Sequence, residues 1–192
     1  MAIVKAATQQ RERWRNGGGW TRTIARGRIG AGAAAGDDGW DWRLSIADIE
    51  SDGPFSTFPG VDRVLVLLDG AGIELAFADG GRERLVQPLA CLAFAGERAV
   101  HCALVAGPTR DFNLMWRRDR LHAGLGVTGL AAAVQALADP APLHALHVVS
   151  GSLRLAGALA SAGDTVLLDG RVPDEAAVVV PGQALLIRGE PR

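Results

Sequence analysis

Trp40-Asp41-Trp42-Arg43-Leu44-Ser45-Ile46-Ala47-Asp48 alternates apolar and polar residues from Trp40 to Ile46. Trp40, Trp42, Leu44 and Ile46 fall on one side of an extended chain; Asp41, Arg43, Ser45 and Ala47 fall on the other. Successive Cβ atoms of a β-strand point to opposite faces, so this period of two predicts a strand. Outward from it, short apolar runs are broken by Gly, Asp or Pro roughly every 8–12 residues, the rhythm of an all-β sandwich or barrel. Residues 20–29 read as an earlier strand, 30–39 as a glycine/alanine loop, and Gly53-Pro54 as a turn. Runs 64–68 and 73–78 flank Asp69-Gly70-Ala71-Gly72 and predict a hairpin; 89–95 and 99–105 around Gly96-Glu97-Arg98 predict another. Residues 111–117 form a further strand, with Phe112, Leu114 and Trp116 on one face.

The second half repeats the theme. Hairpins are predicted at Gly151-Ser152 and at Pro181-Gly182, with a turn at Ala162-Gly163-Asp164. Gly70 and Gly151 read as counterparts in two repeats. One stretch departs: 130–138 is alanine-rich and ends at Asp139-Pro140, so propensity makes it a helix. The halves are divided in this region, giving domains 1–118 and 119–192, or one compact unit carrying both.

Composition narrows the function classes. Hydrophobic residues make up 48%, enough for a substantial core, and 20 basic residues balance 21 acidic ones. That balance gives no footprint for a nucleic-acid partner or a membrane surface. Lys5 is the only lysine. Two cysteines, Cys91 and Cys102, are too few for a disulfide scaffold and read as small apolar residues. The first fifteen residues lack the apolar core of a signal peptide, and no apolar run is long enough to span a bilayer. A cytoplasmic protein is the expectation.

Four motifs carry a family resemblance: Trp14-Arg15-Asn16-Gly17-Gly18-Gly19-Trp20-Thr21, Trp42-Arg43-Leu44-Ser45-Ile46-Ala47, Gly53-Pro54-Phe55-Ser56-Thr57-Phe58-Pro59-Gly60-Val61-Asp62-Arg63, and Asp111-Phe112-Asn113-Leu114-Met115. In this order and spacing they resemble the HutD/Ves family. The resemblance lies in the first half; the second half matches only in strand pattern. It implies a bicupin, two tandem cupin-type (RmlC-like jelly-roll) β-barrels, found beside histidine-degradation genes. It further implies a non-catalytic, regulatory protein that binds an anionic metabolite such as formylglutamate or urocanate. The sequence departs from the family at Trp20, where a smaller residue is usual, at Arg13, where proline is common, and in the padded loop at 30–39.

The motifs have physical readings of their own. Asn16-Gly17-Gly18-Gly19 lets the backbone take positive φ and present amides as an anion nest, or is an ordinary glycine turn leading into the Trp20 strand. Thr21 follows on that strand. Arg43 and Ser45 share a face, where an arginine suits a carboxylate by a two-pronged hydrogen bond; the alternative is a solvated face with Arg43 paired to Asp41 or another acid. Arg63 is a ligand contact or, with Asp62, an ion pair at a strand entrance. Phe55, Phe58 and Pro59 read as a lid. Asp111 and Asn113 need partners if buried: either Asn113 meets the ligand while Asp111 holds an arginine, or both belong to a structural network.

Rival readings rest on thinner patterns. His101, His122, His144 and His147 include no His-x-His pair, and residues three apart on a strand face opposite ways, so no metal and no cofactor are expected. Gly124-Leu125-Gly126-Val127-Thr128-Gly129 matches a dinucleotide fingerprint but lacks its alternating strands and helices and the acid that should follow. No nucleophilic triad is visible. A metal-independent lyase, isomerase or hydrolase with Asp111 as base is the alternative function, by analogy with other cupins. An interaction module using Trp14, Trp20 or Trp40 is a third. Cupins pair through sheet edges, so a homodimer is possible.

Overall fold

The computed structural model describes residues 1–29, 39–139, 141–168 and 175–192. Residues 30–38 of the glycine/alanine loop, and Pro140, lie outside them. In chain order the strands are β1 (Ala2–Val4), β2 (Glu12–Arg13), β3 (Gly19–Gly27), β4 (Trp42–Ile49), β5 (Gly53–Pro54), β6 (Val61–Asp69), β7 (Ile73–Phe77), β8 (Arg82–Leu85), β9 (Cys91–Ala95), β10 (Val100–Leu104), β11 (Thr109–Arg117) and β12 (Leu121–Gly129). The helix α1 (Leu130–Ala136) follows, then β13 (Leu143–Val148), β14 (Ser152–Leu155), β15 (Ala158–Ser161), β16 (Thr165–Leu168), β17 (Ala176–Val180) and β18 (Gln183–Pro191). The chain is all-β apart from α1 and a single 3-10 turn at Ala6–Thr8, among the described residues.

Two compact units emerge. One is Gln10–Arg120; the other joins Met1–Gln9 to Leu121–Arg192. In the first, a six-stranded sheet of order β2-β3-β4-β11-β6-β9 faces a four-stranded sheet of order β5-β10-β7-β8. Both are antiparallel. Ala47, Ile49, Leu65, Leu67 and Phe94 from the larger sheet pack against Ile73, Leu75, Phe77, Leu85, Val100 and Cys102 from the smaller. On the opposite face of the larger sheet, Leu44, Phe112 and Leu114 at its centre have no exposed surface.

The turn signals are real, but five of the turns are corners. β6 pairs with β11 and β9, whereas β7 pairs with β10 and β8. The expected hairpin through Gly70 is thus a passage from one sheet to the other. The same correction applies to β9–β10 at Gly96, β13–β14 at Gly151 and β17–β18 at Pro181-Gly182, and the turn at Gly163 joins strands of different sheets. This switching is how a double-sheet jelly roll is wound. Glycine serves the corners for a steric reason. At Gly70 (φ 99°) a Cβ would sit 2.6 Å from the Pro108 carbonyl oxygen; at Gly151 (φ 78°) it would sit 2.5 Å from that of Val180. The two expected counterparts thus occupy matching corners, each pressed on the approach to the unit's last long strand. Gly53-Pro54, expected as a turn, is the short strand β5, paired with His101 and Cys102 of β10.

From β12 onward the second unit follows the strand order of the first. Its five-stranded sheet has order β1-β16-β13-β18-β12 and its small sheet β15-β14-β17. β12 through β18 correspond to β4 through β11, with α1 where β5 stands. The helix forms where propensity placed it. Leu130, Ala133 and Leu137 turn inward to meet Leu146, Val148, Leu153, Leu155 and Val166, so this interior is filled by aliphatic side chains. Residues 1–9 complete the sheet: Ala2 registers with Leu167 and Val4 with Thr165. Lys5 Nζ then holds Asp164 at 2.9 Å.

Candidate functional site

The first unit encloses a cavity of about 730 Å³, a size typical of small-molecule sites. Strand register builds its floor. Across β4, β11 and β6, Arg43 stands beside Met115 and Met115 beside Arg63. One row deeper come Ser45, Asn113 and Leu65, and a row deeper again Ala47, Asp111 and Leu67. Residues two apart on a strand share a face, so all nine side chains point the same way. The rim is supplied by Glu12, Arg13, Trp14, Arg15 and Asn16 and by Pro54, Phe55, Ser56 and Phe58.

Of the ten expected site residues, Asn16, Thr21, Arg43, Ser45, Arg63 and Asn113 line this cavity. Gly17, Gly18, Gly19 and Asp111 do not. The glycines make a turn that is largely bonded to itself. Gly17 N–H donates to the Trp14 carbonyl and Trp14 N–H to that of Gly19, both at 3.0 Å. Gly18 N–H donates to Asn16 Oδ1 at 3.0 Å. A Cβ on Gly19 would lie 2.4 Å from the Asp48 carbonyl oxygen and 3.2 Å from the Trp14 ring. The turn therefore brings Trp14 against the sheet. Trp14 Nε1 donates to Thr21 Oγ1 at 2.7 Å, and its ring meets Phe55 edge-on, centroids 6.4 Å apart.

Arg63 is the most constrained charge on the wall. It is only 7% exposed. Its Cζ lies 5.3 Å from the Phe55 ring and 5.0 Å from the Phe94 ring, cation–π contacts that partly replace lost hydration. It donates through Nη2 to Asn113 Oδ1, while its Nε is buried with no partner. Burial draws its pKa down to about 10; Asp111 opposes that shift and Arg43 adds to it. It remains a cation at neutral pH. The ion pair with Asp62 does not form, because Asp62 accepts instead from Arg118 at 3.0 Å. Arg43 donates through Nη2 to Thr23 Oγ1 at 3.0 Å. Four arginines (13, 15, 43 and 63) line the cavity against one acid, Glu12, and Arg13 is already engaged by Glu50 at 2.5 Å.

Asp111 points the same way as Asn113, one row deeper, and has no exposed surface. Neither carboxylate oxygen has a hydrogen-bond partner. Burial raises its pKa to about 7, opposed by Arg63. It is not among the residues that line the cavity, although Ala47 beside it on β4 is. Three tryptophans offered as an interaction patch are dispersed. Trp40 is buried beside Val61 and Met115, Trp14 lines the cavity, and Trp20 is stacked by Arg11 and Arg13 at 4.7 and 4.8 Å. His101 and His122 are exposed on separate strands, and His144 and His147 face opposite ways on β13. Among the described residues no three potential ligands gather to hold a metal. The glycine fingerprint at 124–129 lies in β12, hydrogen-bonded along its length to β18. Glu12, Arg15 and the second aromatic face on Arg63, Phe94, were not expected at the site. Phe94 carries no signal in sequence, since only the β6–β9 register (Arg63 opposite Phe94) brings it there.

Antiparallel two-sheet units of this topology, one of them enclosing a polar and aromatic cavity, define a cupin-like β fold. The chain belongs to the HutD family, whose model matches residues 6–186. It is 42% identical over 125 residues to an uncharacterized 21.2 kDa protein of the hutC 3′ region in Pseudomonas putida, a match spanning 65% of this chain and 63% of that one. Protein Ves of Cronobacter sakazakii is 41% identical over 117 residues, 59% of each chain. The matches thus cover just under two thirds of the length of these relatives. The solved structure of HutD from Pseudomonas fluorescens SBW25, determined in a formate condition, superposes with a TM-score of 0.77 at 31% identity, covering 100% of this chain and 98% of that one. Among the described residues no helix is long and apolar enough to cross a membrane.

Proposed function

We propose that the first unit is a receptor for a small carboxylic acid, non-catalytic, and that its occupancy reports a metabolite of histidine utilisation such as formylglutamate or urocanate. The observation that carries this reading is Arg63: a buried guanidinium on a cavity wall, held by one amide and two aromatic rings, with no carboxylate bonded to it. A planar acid would supply the missing acceptors two at a time. Arg43, on the same row with Met115 between, adds a second cation about 10 Å away by strand spacing. Ser45, Asn113, Thr21 and Asn16 offer the neutral donors and acceptors, while Trp14, Phe55 and Phe58 cover the apolar part of the guest. In this reading Gly17, Gly18 and Gly19 shape the rim rather than grip the anion. Asp111 acts from the row below Asn113. The connection to histidine utilisation follows the family and the naming of the Pseudomonas relatives.

A thermal-shift screen against formylglutamate, urocanate, glutamate, histidine and neutral sugars tests the proposal. A ligand at 100 times its Kd should stabilise by about 2.7 kcal/mol. An acid that raises Tm in the parent protein but not in Arg43→Ala or Arg63→Ala is the expected result. Equal shifts from neutral sugars, or no shift from any acid, would overturn it.

A further inference from the structure

We propose that Asp111 is a positioning residue for the anion site, acting through Arg63: it balances the Arg63 charge while the cavity is empty and takes up a proton when an anion arrives. This rests on the carboxylic-acid reading of the cavity. The argument is one of charge and space. Asp111 lies on the same strand face as Asn113, one row deeper, and Asn113 is the acceptor that holds Arg63. Its two oxygens are buried without hydrogen bonds, an arrangement that a single nearby cation makes tolerable. An anion bound on Arg63 from the cavity side cancels that cation. The carboxylate would then be an uncompensated buried charge, and neutralising it costs least.

The groups able to interfere are few. Arg63 on β6 acts on Asp111 through its charge, without a hydrogen bond. From β10 comes Cys102, whose thiol is pushed up to about 12 by burial first and by Asp111 and Asp52 after it, so it stays neutral. Arg43 on β4 acts on Arg63. β7 and β9 contribute Leu75, Phe77 and Phe94 to this interior and β8 contributes Leu85, while Glu83 on the same face of β8 is exposed. Within β11, Arg110 points the other way and is held by Asp48 at 2.8 Å. The raised pKa of Asp111, about 7, puts its proton within reach of neutral conditions. The reaction is one proton from solvent onto one carboxylate oxygen, with no other bond made or broken.

The coupling fixes a sign. If binding takes up a proton, affinity falls as pH rises through the interval between the empty-state and bound-state pKa values, by at most about tenfold per pH unit. The test uses the full chain labelled with 13C at aspartate carboxyls, acetate as first probe and formylglutamate as second. The Asp111 resonance is the one missing in Asp111→Asn, and Arg63 side-chain resonances report binding. The expected result is that the probe moves the Asp111 titration midpoint upward. The pH slope of affinity should also vanish in Asp111→Asn while binding persists. Should that variant not fold, calorimetry of the parent protein in buffers of different ionisation enthalpy gives the same answer: a net proton uptake that reaches at most about half a proton at pH 7 and is larger at pH 8 supports the coupling. Probe signals at Arg63 with an unmoved Asp111 midpoint, or with zero proton uptake, overturn the inference and leave the anion reading intact. If neither probe perturbs Arg63, both fall.

Discussion

Asp111→Asn, compared with the parent protein across pH, isolates the cost of burying a carboxyl that has no hydrogen-bond partner. In the folded chain the Asp111 pKa stands near 7, against an ordinary 3.8. Between those values the native state holds a proton that the unfolded chain has released. Stability therefore falls as pH rises through this window, and the loss is complete once pH exceeds the folded value. At about 1.4 kcal/mol per unit, the full penalty is of order 4 kcal/mol, of which about 3 kcal/mol accrues between pH 5 and pH 8. His147 works in the opposite sense. Burial lowers its pKa from 6.5 to about 4, so stability from that residue rises with pH over the same acidic range. A single stability curve would hide one behind the other. The difference between parent and Asp111→Asn cancels His147, which both contain. Urea unfolding at several pH values should show the variant gaining on the parent by about 3 kcal/mol from pH 5 to pH 8. A difference that stays flat to within about 1 kcal/mol would mean that burial does not hold this carboxyl neutral, and would refute the reasoning.

Other expectations follow from particular contacts. Gly70→Ala should destabilise by about 2–4 kcal/mol, because a left-handed φ is combined with backbone atoms within 3 Å of the new Cβ; Gly157→Ala, with positive φ and open space, should cost about 1 kcal/mol, and equal losses in urea melts would contradict the corner argument. Phe112→Ala removes a ring with no exposure and should cost about 3–5 kcal/mol by the same assay. Arg63→Ala should abolish the acid-induced rise in Tm and push the Asp111 midpoint higher still, since the cation that opposes its shift is gone; a lowered midpoint would be the wrong sign. A thiol reagent should modify Cys91 in the native protein and Cys102 only after unfolding, because one is exposed and the other buried.

Much of the fold is legible in the sequence because local physics writes it there. Alternation around Leu44 marks β4, the alanine run marks α1, and glycines mark where the chain must turn. What the glycines do not record is which strand comes next in space. A turn at Gly70 looks the same from sequence whether β7 folds back on β6 or crosses to the other sheet. The decision lies with Pro108, nearly forty positions on, against which Gly70 packs. β14 and β15 do form a two-residue hairpin, with Ala156 (φ 45°) and Gly157 (φ 78°) both left-handed, yet an alanine at such a site gives no warning. Of the site, the polar residues on apolar strands were visible as anomalies: Arg43, Ser45, Arg63, Asp111 and Asn113. Their depth was not. Arg63 and Asp111 look alike as charges, and only register shows that Asp111 lies two rows deeper on the same face.

β1 has a further consequence for how the chain can be made or divided. Its partner β16 begins more than 160 positions later, so the second unit waits for the far end of the polypeptide before its sheet is whole, while Gln10–Arg120 holds all of its own strands. Cutting at residue 120 would not yield two equal halves. The leading piece would carry an orphaned strand; the trailing piece would present β16 with its backbone donors and acceptors bare, an invitation to pair with a neighbour. The trailing piece should recover its solubility when a peptide of residues 1–9 is added back.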